Sequence, residues 1–366
     1  MNLSSRVVRY ARAWSVGPDD VLEEEITIDR DGTPIPATVV RPRGMPAPLP
    51  SWVVLHGITR PGRAHAQLVR FTRSVASAGL ATIVPEVPEW RELSLAPHLT
   101  VPTVAAAVRG LRETGFVRGD RLGLVGFSFG APHAIAASGD PRLRDDIAGV
   151  CGFGGYSSIE HTIRFMMDGH HGWGGREHHL RPDPYGRWIV AANYLTSVPD
   201  HADAADVADA LRVLAKHAGD VGAASWDPIY DGKIRELRSS VAEERRPLFD
   251  AFAVESGKER KAGSEPSHAE LAEALVAGAR RRDPGIDPVE GFARVTGEVH
   301  ILHGRRDHLI PFTEGYRMAE ALSHAEPRLT VTRLFGHSSQ ERFPFWSALT
   351  EVPRFARALS DVLTVV

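Results

Sequence analysis

The sequence predicts a doubly wound α/β fold in which a mostly parallel sheet is interrupted by a helical insertion. Short, continuously apolar runs alternate with helical patterns up to about residue 153 and again from about residue 291. Continuously apolar strands are typical of a parallel sheet that is covered by helices on both faces. Between 154 and 290 the pattern contains helices but no convincing buried strand. We therefore expect one sheet, formed by two separate parts of the chain.

The first part of the core is predicted element by element. Two strands flank Asp31-Gly32, a dipeptide typical of a hairpin turn. Strands are predicted at 22–30, 35–41, 51–57, 81–85, 121–127 and 147–152. Helices are predicted at 64–79, 104–114 and 130–138. This alternation is the pattern of strand–helix–strand units.

The second part of the chain divides into the insertion and the return to the sheet. Insertion helices are predicted at 187–196, 202–218, 233–254 and 267–281. Later elements are predicted as a strand at 297–304, a helix at 313–324, a strand at 328–334 and a helix at 344–363. The domains are therefore 1–153, the first part of the core; 154–290, the insertion; and 291–366, the second part of the core. An insertion of roughly 135 residues is too long to be a structureless loop.

Composition limits the class of protein. Hydrophobic residues make up 43% of the 366 residues and charged residues 24%, which is ordinary for a soluble globular enzyme. The net charge of −3, without a long basic cluster, predicts no nucleic-acid partner. No apolar run approaches the roughly 18 residues of a membrane span, and the N-terminus lacks the apolar middle of a signal peptide. With Cys151 as the single cysteine, we expect a cytoplasmic protein without disulfides.

One pentapeptide carries the chemistry. Gly126-Phe127-Ser128-Phe129-Gly130 stands between a predicted strand and a predicted helix. Such a turn holds the serine in a strained conformation with its hydroxyl raised above the sheet, and side chains larger than glycine at 126 and 130 would clash. An ordinary glycine-bounded strand exit is the alternative. We interpret Ser128 as a nucleophile.

A serine hydroxyl is a poor nucleophile and needs a base, which is itself oriented by a carboxylate. His337 follows the last predicted strand, and Asp307 follows the strand at 297–304. The carboxyl ends of parallel strands share one edge, so these side chains are expected to meet Ser128 there. The alternatives are a surface histidine at 337 and a turn-capping aspartate at 307. Glu160, after the strand at 147–152, is the runner-up acid.

A tetrahedral intermediate needs hydrogen-bond donors for its oxyanion. One should be the backbone N–H of Phe129, directly after the nucleophile. The other should be the N–H of Ile58, in the loop His56-Gly57-Ile58 that leaves the strand at 51–57. Gly57 permits close approach of this loop. His56 is interpreted as a structural residue that bonds to neighbouring loops.

Four segments together resemble the α/β-hydrolase superfamily: Leu55-His-Gly-Ile, the pentapeptide at 126–130, Gly304-Arg-Arg-Asp-His-Leu-Ile-Pro, and Gly336-His337. The resemblance covers well over half of the chain. It implies an eight-stranded, mostly parallel sheet with an antiparallel second strand, and an insertion after the sixth strand that caps the active site. The serine argues against dehalogenase and epoxide hydrolase members, which have aspartate there. The loop Leu-His-Gly-Ile-Thr also departs from the His-Gly-Gly-Gly signature of some lipases and esterases.

Two further groups of residues have alternative interpretations. Arg60, Arg63, Arg305 and Arg306 follow strand ends, where they either recognise an acidic substrate group or are simply solvated. Four histidines lie within eleven residues at 169–179. Their spacing matches no metal-ligand pattern, so no metal is predicted.

The residues therefore predict a serine hydrolase, resembling esterases, that cleaves a carboxylic ester through an acyl-enzyme without a cofactor. Its expected partner is a small acyl substrate, with no nucleic acid and no membrane. Thioester, amide or carbon–carbon bond hydrolysis by the same triad is the alternative. A non-catalytic module that binds a small ligand is a third hypothesis. Acyl chain length, alcohol partner and oligomeric state are left open.

Overall fold

The computed structural model describes residues 3–18, 20–119, 121–258, 266–333 and 356–363. The strands are β1 (Val21–Arg30), β2 (Thr33–Pro42), β3 (Ser51–Leu55), β4 (Ala81–Pro85), β5 (Leu122–Phe127), β6 (Ile147–Phe153), β7 (His170–Trp173), β8 (Arg176–His179), β9 (Gly297–Gly304) and β10 (Ala325–Thr332). The helices are α1 (Leu3–Val16), α2 (Ala66–Ser77), α3 (Pro88–Arg91), α4 (Thr100–Glu113), α5 (Gly130–Ser138), α6 (Ile159–Asp168), α7 (Pro184–Tyr194), α8 (Ala205–Val221), α9 (Asp231–Ser240), α10 (Arg246–Phe252), α11 (His268–Arg282), α12 (Val289–Phe292) and α13 (Thr313–Ala321).

Eight strands form one sheet in the order β1-β2-β4-β3-β5-β6-β9-β10. Strand β2 is antiparallel to both of its neighbours, and all the other pairs are parallel. The predicted eight-stranded, mostly parallel sheet with an antiparallel second strand is therefore confirmed. The first part of the core supplies six strands, and β9 and β10 extend the same sheet after the insertion.

The sheet is buried on both faces, which explains why its central strands are continuously apolar. Along β3, Val53 and Leu55 belong to one hydrophobic cluster, whereas Trp52 and Val54 belong to the other. Successive side chains of a strand point to opposite faces. Because helices cover both faces, every position of β3 must be apolar or small, and all five of its residues are buried.

The hairpin that opens the sheet follows its turn chemistry. Asp31 and Gly32 have φ of 50° and 85°, so both turn residues lie in the left-handed region. Two positive φ values in a two-residue hairpin are what an Asp-Gly pair favours, because glycine has no Cβ and aspartate tolerates this region. The turn fixes the register of β1 against β2 over ten paired positions.

The helices differ from the sequence prediction at several points, the short α3 and α12 among them. Helix α1 was not predicted; it packs on α2, with Tyr10 against Phe71 at a ring distance of 6.2 Å. Helix α6 was not predicted either. The single helix predicted at 233–254 is two helices, α9 and α10, because Pro247 stands at the start of α10 and cannot continue a helix through its interior.

Among its described residues, the insertion contains helices and one small hairpin, β7–β8, which turns at Gly174-Gly175 and lies outside the main sheet. Its helices contact loops that follow sheet strands. The Asn193 amide donates to the Leu93 carbonyl (2.9 Å) and accepts from the Leu95 N–H (3.2 Å). The Asp183 N–H donates to the His308 carbonyl (2.7 Å). The insertion thus rests on the loops after β4 and β9, at the carboxyl edge of the sheet.

The end of the chain is described only in part. A helical stretch covers 356–362, within the helix predicted at 344–363, and 344–355 lie outside the described residues. Across the part of the chain that is described, no helix combines the length and the apolar character needed to cross a membrane.

Candidate active site

The turn between β5 and α5 holds Ser128 in an uncommon conformation. Its φ is 53°, in the left-handed region that a residue with a Cβ rarely adopts. The Ser128 N–H donates to the Phe153 carbonyl (2.7 Å), and the Ser128 carbonyl accepts from the Ala131 N–H (2.9 Å). Strain of this kind costs about 1–3 kcal/mol and persists only where the surroundings impose it. The serine is partly exposed at the carboxyl end of β5.

The two glycines of the pentapeptide are required by backbone contacts. A Cβ on Gly126 would lie 2.2 Å from the Gly130 carbonyl oxygen, and a Cβ on Gly130 would lie 2.6 Å from the His56 carbonyl oxygen. Neither distance is tolerable, and backbone atoms cannot move aside as a flexible side chain can. The glycine pattern therefore follows from the tightness of the turn.

The loop at 56–58 lies directly against the serine. A Cβ on Gly57 would be 2.8 Å from Ser128 Cβ and 3.4 Å from Ser128 Oγ. Within the described residues, the amides of Ile58 and Phe129 donate no backbone hydrogen bond. The Phe129 amide also stands at the start of α5, where the helix dipole favours negative charge. Two such donors beside a serine hydroxyl can stabilise an oxyanion.

Asp307 is fully buried in the loop after β9. Its Oδ1 accepts hydrogen bonds from the backbone N–H groups of Leu309 (2.9 Å) and Ile310 (3.0 Å), and its Oδ2 lies 3.7 Å from His303 Nε2. The two amides hold the carboxylate in one orientation. Because β5 and β9 are both parallel to β6, which lies between them, this loop lies on the same sheet edge as Ser128.

His337, the predicted base, lies outside the described residues. The preceding strand, β10, is parallel to β9, and Thr332 is paired with Gly304 at its end. The chain therefore leaves the sheet at the carboxyl edge, beside the Asp307 loop, five positions before His337.

Glu160, the runner-up acid, lies in the first turn of α6 with 37% of its side chain exposed. Its carboxylate forms ion pairs with Arg164 (3.2 Å) and Arg280 (3.5 Å). It is thus held by surface arginines of the insertion, whereas Asp307 is held by buried backbone amides.

The four arginines that follow strand ends are placed differently from one another. Arg60 binds Glu92 (2.8 Å) and, across to α8, Asp220 (3.1 Å). Arg63 binds Glu25 (2.6 Å) and lies 3.6 Å from Glu86.

Arg305 and Arg306 lie in the exposed turn before Asp307. The guanidinium of Arg305 lies over the Phe312 ring at 5.1 Å, and Arg306 is exposed next to it. The first pair therefore has structural partners in the loops and the insertion, and the second pair lies at the surface.

An aromatic cluster around Phe129, the residue after Ser128, was missed by sequence reasoning. The Phe129 ring contacts Trp90 (5.3 Å) and His133 (4.5 Å). His133 Nε2 is 3.0 Å from the Tyr156 hydroxyl, which donates to the Ile286 carbonyl (2.9 Å). Burial lowers the pKa of His133 to about 3, so this ring is neutral. The cluster links α5 to the end of the insertion; the aromatic residues around the pentapeptide were the available signal.

The histidines at 170–179 form the hairpin β7–β8. His170 pairs with His179 and His171 with His178, with ring distances of 4.8 and 5.3 Å. Burial, followed by the nearby His178, lowers the pKa of His171 to about 4. Among the described residues, no group of three or more histidine, cysteine or acidic side chains is arranged to hold a metal ion. A cavity of about 410 Å³ beside the hairpin is lined by α6, the hairpin and the start of α13, and not by Ser128.

The fold is similar to that of solved hydrolase structures. Acylaminoacyl peptidase from Pyrococcus horikoshii matches with a TM-score of 0.51 and 8% identity, over 94% of this chain and 42% of that one. An acylaminoacyl peptidase with a bound chloromethyl ketone matches with a TM-score of 0.50 and 10% identity, over 95% and 41%. Est1E from Butyrivibrio proteoclasticus has a TM-score of 0.48 and 12% identity, over 93% and 98%.

No protein-family model and no curated protein matches the sequence. The strand order, the antiparallel second strand and the structural matches establish that the chain has the α/β-hydrolase fold.

Proposed function

We propose that this protein is a serine hydrolase that cleaves a carboxylic ester through an acyl-enzyme on Ser128. The observation that carries the proposal is the strained serine at φ 53°, with Gly57 packed against its side chain. A costly conformation of this kind is expected where a hydroxyl must be presented to a substrate.

The reaction follows from the roles of these groups. Ser128 Oγ attacks the acyl carbon while His337 accepts the hydroxyl proton, and the oxyanion is stabilised by the amides of Phe129 and Ile58. The intermediate expels the alcohol, which takes the proton from His337. Water then attacks the acyl-enzyme, with His337 again as base, and releases the acid and free Ser128. No cofactor is needed in either half of the reaction.

Asp307 is the proposed orienting carboxylate. Its Oδ1 accepts hydrogen bonds from two backbone amides, which fix the plane of the carboxylate. A fixed, buried carboxylate suits a group that must hold an imidazole in one tautomer. Glu160 remains the alternative, but its ion pairs with Arg164 and Arg280 direct it to the surface of the insertion.

The reach of the chain is consistent with His337 as the base. Three strand spacings separate β5 from β10, about 14 Å at roughly 4.8 Å each. Five residues from Thr332 to His337 span up to about 17 Å when extended. An imidazole at 337 is therefore within reach of Ser128 without any change in the sheet.

We further propose that the insertion at 154–290 caps the site and selects the substrate. It contacts the loops after β3, β4 and β9, which leave the sheet at the same carboxyl edge as Ser128. Beside the Arg60–Asp220 pair, Lys216 of α8 binds Glu92 at 2.5 Å. An acyl compound small enough to fit beneath these helices is the expected substrate. Thioester, amide and carbon–carbon bonds are alternatives that the same triad can cleave.

The proposal is tested with a fluorophosphonate probe and a series of nitrophenyl esters of increasing acyl length. The probe should label Ser128, identified by peptide mass, and the wild-type protein should hydrolyse at least one ester. Ser128→Ala should abolish both signals. Ser138→Ala is the matched control, because Ser138 lies at the far end of α5 and donates to the Ile135 carbonyl (2.7 Å). Folded wild-type protein that neither labels nor hydrolyses any acyl compound would indicate a non-catalytic binding module.

A further inference from the structure

His56, at the end of β3, is buried and bonded to the loop it begins. Only 1% of the residue is exposed. Its Nδ1 lies 2.7 Å from the Gly57 carbonyl oxygen. Because a carbonyl oxygen only accepts, Nδ1 must carry a proton and donate it in this hydrogen bond. The tautomer is thus assigned from the hydrogen-bond partner.

This hydrogen bond acts on the proposed oxyanion donor. The Gly57 carbonyl and the Ile58 N–H belong to one peptide group, which is planar, and in a trans peptide they point in opposite directions. Anchoring the carbonyl therefore sets the direction of the N–H. A hydrogen bond to the carbonyl also polarises the peptide, which makes the N–H a better donor.

The other side of the His56 ring is held by the segment after β4. The Val87 N–H lies 3.1 Å from Nε2, and Glu86 Oε1 lies 3.0 Å from the same atom. Nε2 accepts the hydrogen bond from Val87, so the contact with Glu86 Oε1 is a close polar approach and not a second hydrogen bond. Nδ1 carries the ring proton, since its partner is a carbonyl. Trp90 packs edge-on against the ring at 5.6 Å.

Glu86 is itself an unusual group for this position. Its side chain is 5% exposed, and its Oε2 lies 3.6 Å from Arg63 and 3.7 Å from Arg91. A buried carboxylate is costly to keep unless it is paired, and an apolar residue would avoid that cost. The arginines offset its charge, and its Oε1 faces His56.

We propose that His56, held by Glu86 and the Val87 amide, orients the Gly57–Ile58 peptide so that the Ile58 N–H faces the oxyanion. His56 and Glu86 are positioning residues that touch no reacting atom. The inference rests on the proposed function, because the oxyanion belongs to that reaction.

The first test measures the peptide directly, without turnover. Crystal structures are determined for His56→Leu and His56→Asn. Leucine removes the donor, so the Gly57–Ile58 peptide should rotate away from its wild-type orientation. Asparagine places an N–H close to where Nδ1 stands, so the peptide should keep that orientation. A wild-type peptide orientation in His56→Leu would overturn the inference, even if the protein hydrolysed no ester at all.

The second test is kinetic, with rates expressed per active site titrated by the fluorophosphonate probe. Losing a whole oxyanion donor costs about 100- to 1,000-fold in kcat, so a misdirected donor in His56→Leu should cost about 10- to 100-fold. KM should stay within about threefold, because the donor acts mainly in the transition state. His56→Asn should recover most of the loss. Glu86→Gln should fall between the two, because the glutamine amide can donate to Nε2 but no longer supplies the negative charge of the carboxylate beside the ring.

His300→Leu is the matched control, since His300 is a similarly buried histidine on β9, 2% exposed and away from the loop. It should lose stability while keeping kcat per titrated site. A His56→Leu enzyme with kcat within twofold of wild type would overturn the inference. An inactive wild type would instead refute the proposed function, and the peptide orientation would still decide whether His56 positions the loop.

Discussion

The contact between Gly57 and Ser128 makes one substitution especially informative. Gly57→Ala adds a Cβ 2.8 Å from Ser128 Cβ and 3.1 Å from the Phe127 carbonyl oxygen. Ordinary contact begins at 3.4 Å, so the loop and the serine must separate by about 0.6 Å. Gly57 does not have a positive φ in the structure, so alanine adds no backbone strain. The effect should therefore come from displacement of the loop at 56–58, the proposed oxyanion loop.

The expected magnitude follows from the size of that displacement. Misplacing a catalytic group by about 1 Å can cost about 100-fold in rate. A shift of about 0.6 Å should then lower kcat by about 10- to 100-fold, which corresponds to about 1.4–2.7 kcal/mol in the activation barrier. Overpacking should also lower the free energy of unfolding by about 1–3 kcal/mol.

Ester hydrolysis per titrated active site and chemical unfolding together measure both effects. Gly232→Ala is the control, because this glycine in α9 has open space around its Cβ position and no positive φ. It should leave kcat unchanged and stabilise the helix by about 0.5–1 kcal/mol. If Gly57→Ala retained wild-type kcat on a reactive ester, the loop at 56–58 would not be the oxyanion loop.

Three further predictions concern Ser128 as the proposed nucleophile, Asp307 as the proposed acid, and the hairpin β7–β8. Ser128→Ala and Ser128→Gly should each lower kcat/KM by about 1,000-fold or more. Ser128→Gly should also raise the free energy of unfolding by about 1 kcal/mol, because glycine adopts a positive φ without strain. An unchanged free energy of unfolding in a urea titration of Ser128→Gly would argue against strain at this position. Asp307→Asn should lower kcat, at most by as much as Ser128→Ala does. If Asp307→Asn left kcat unchanged while Glu160→Gln lowered it strongly, Glu160 would be the acid instead. His171 is neutral in the folded protein down to about pH 4, whereas in the unfolded chain it is protonated below about pH 6.5. The free energy of unfolding should therefore fall as the pH drops from about 6.5 to 4, by at most about 1.4 kcal/mol per pH unit. His171→Phe should flatten that slope in thermal melts; an unchanged slope would mean that other groups cause it.

Local patterns predicted much of the sheet. The boundaries of β4 (81–85) and α5 (130–138) match the prediction, because a short apolar run and a glycine turn carry their signals within a few residues. The hairpin at Asp31-Gly32 was predictable for the same reason. Pro247 also indicated the break between α9 and α10, because proline interrupts a helical pattern, but the sequence prediction did not use this signal.

The site was predictable only as a set of separate candidates. The glycines of the pentapeptide indicated the turn at Ser128, because the steric need is confined to five residues. The sequence also placed Asp307 and the loop at 56–58 after strands, and so on one sheet edge. Apart from His56, interpreted as a residue that bonds to neighbouring loops, it did not indicate which side chains of that edge are buried or which groups they contact.

By itself, then, the sequence determined the strands, the turn that presents Ser128, and the order of the candidate residues along the chain, all of which depend on near neighbours. Only the tertiary structure decided that Gly57 packs on Ser128 and that His56 meets Glu86. Those contacts join residues 30 and 71 positions apart, and they exist because the parallel strands β3, β4 and β5 bring their carboxyl ends to one edge. Contacts of that kind depend on strand order, and strand order follows from packing the whole chain.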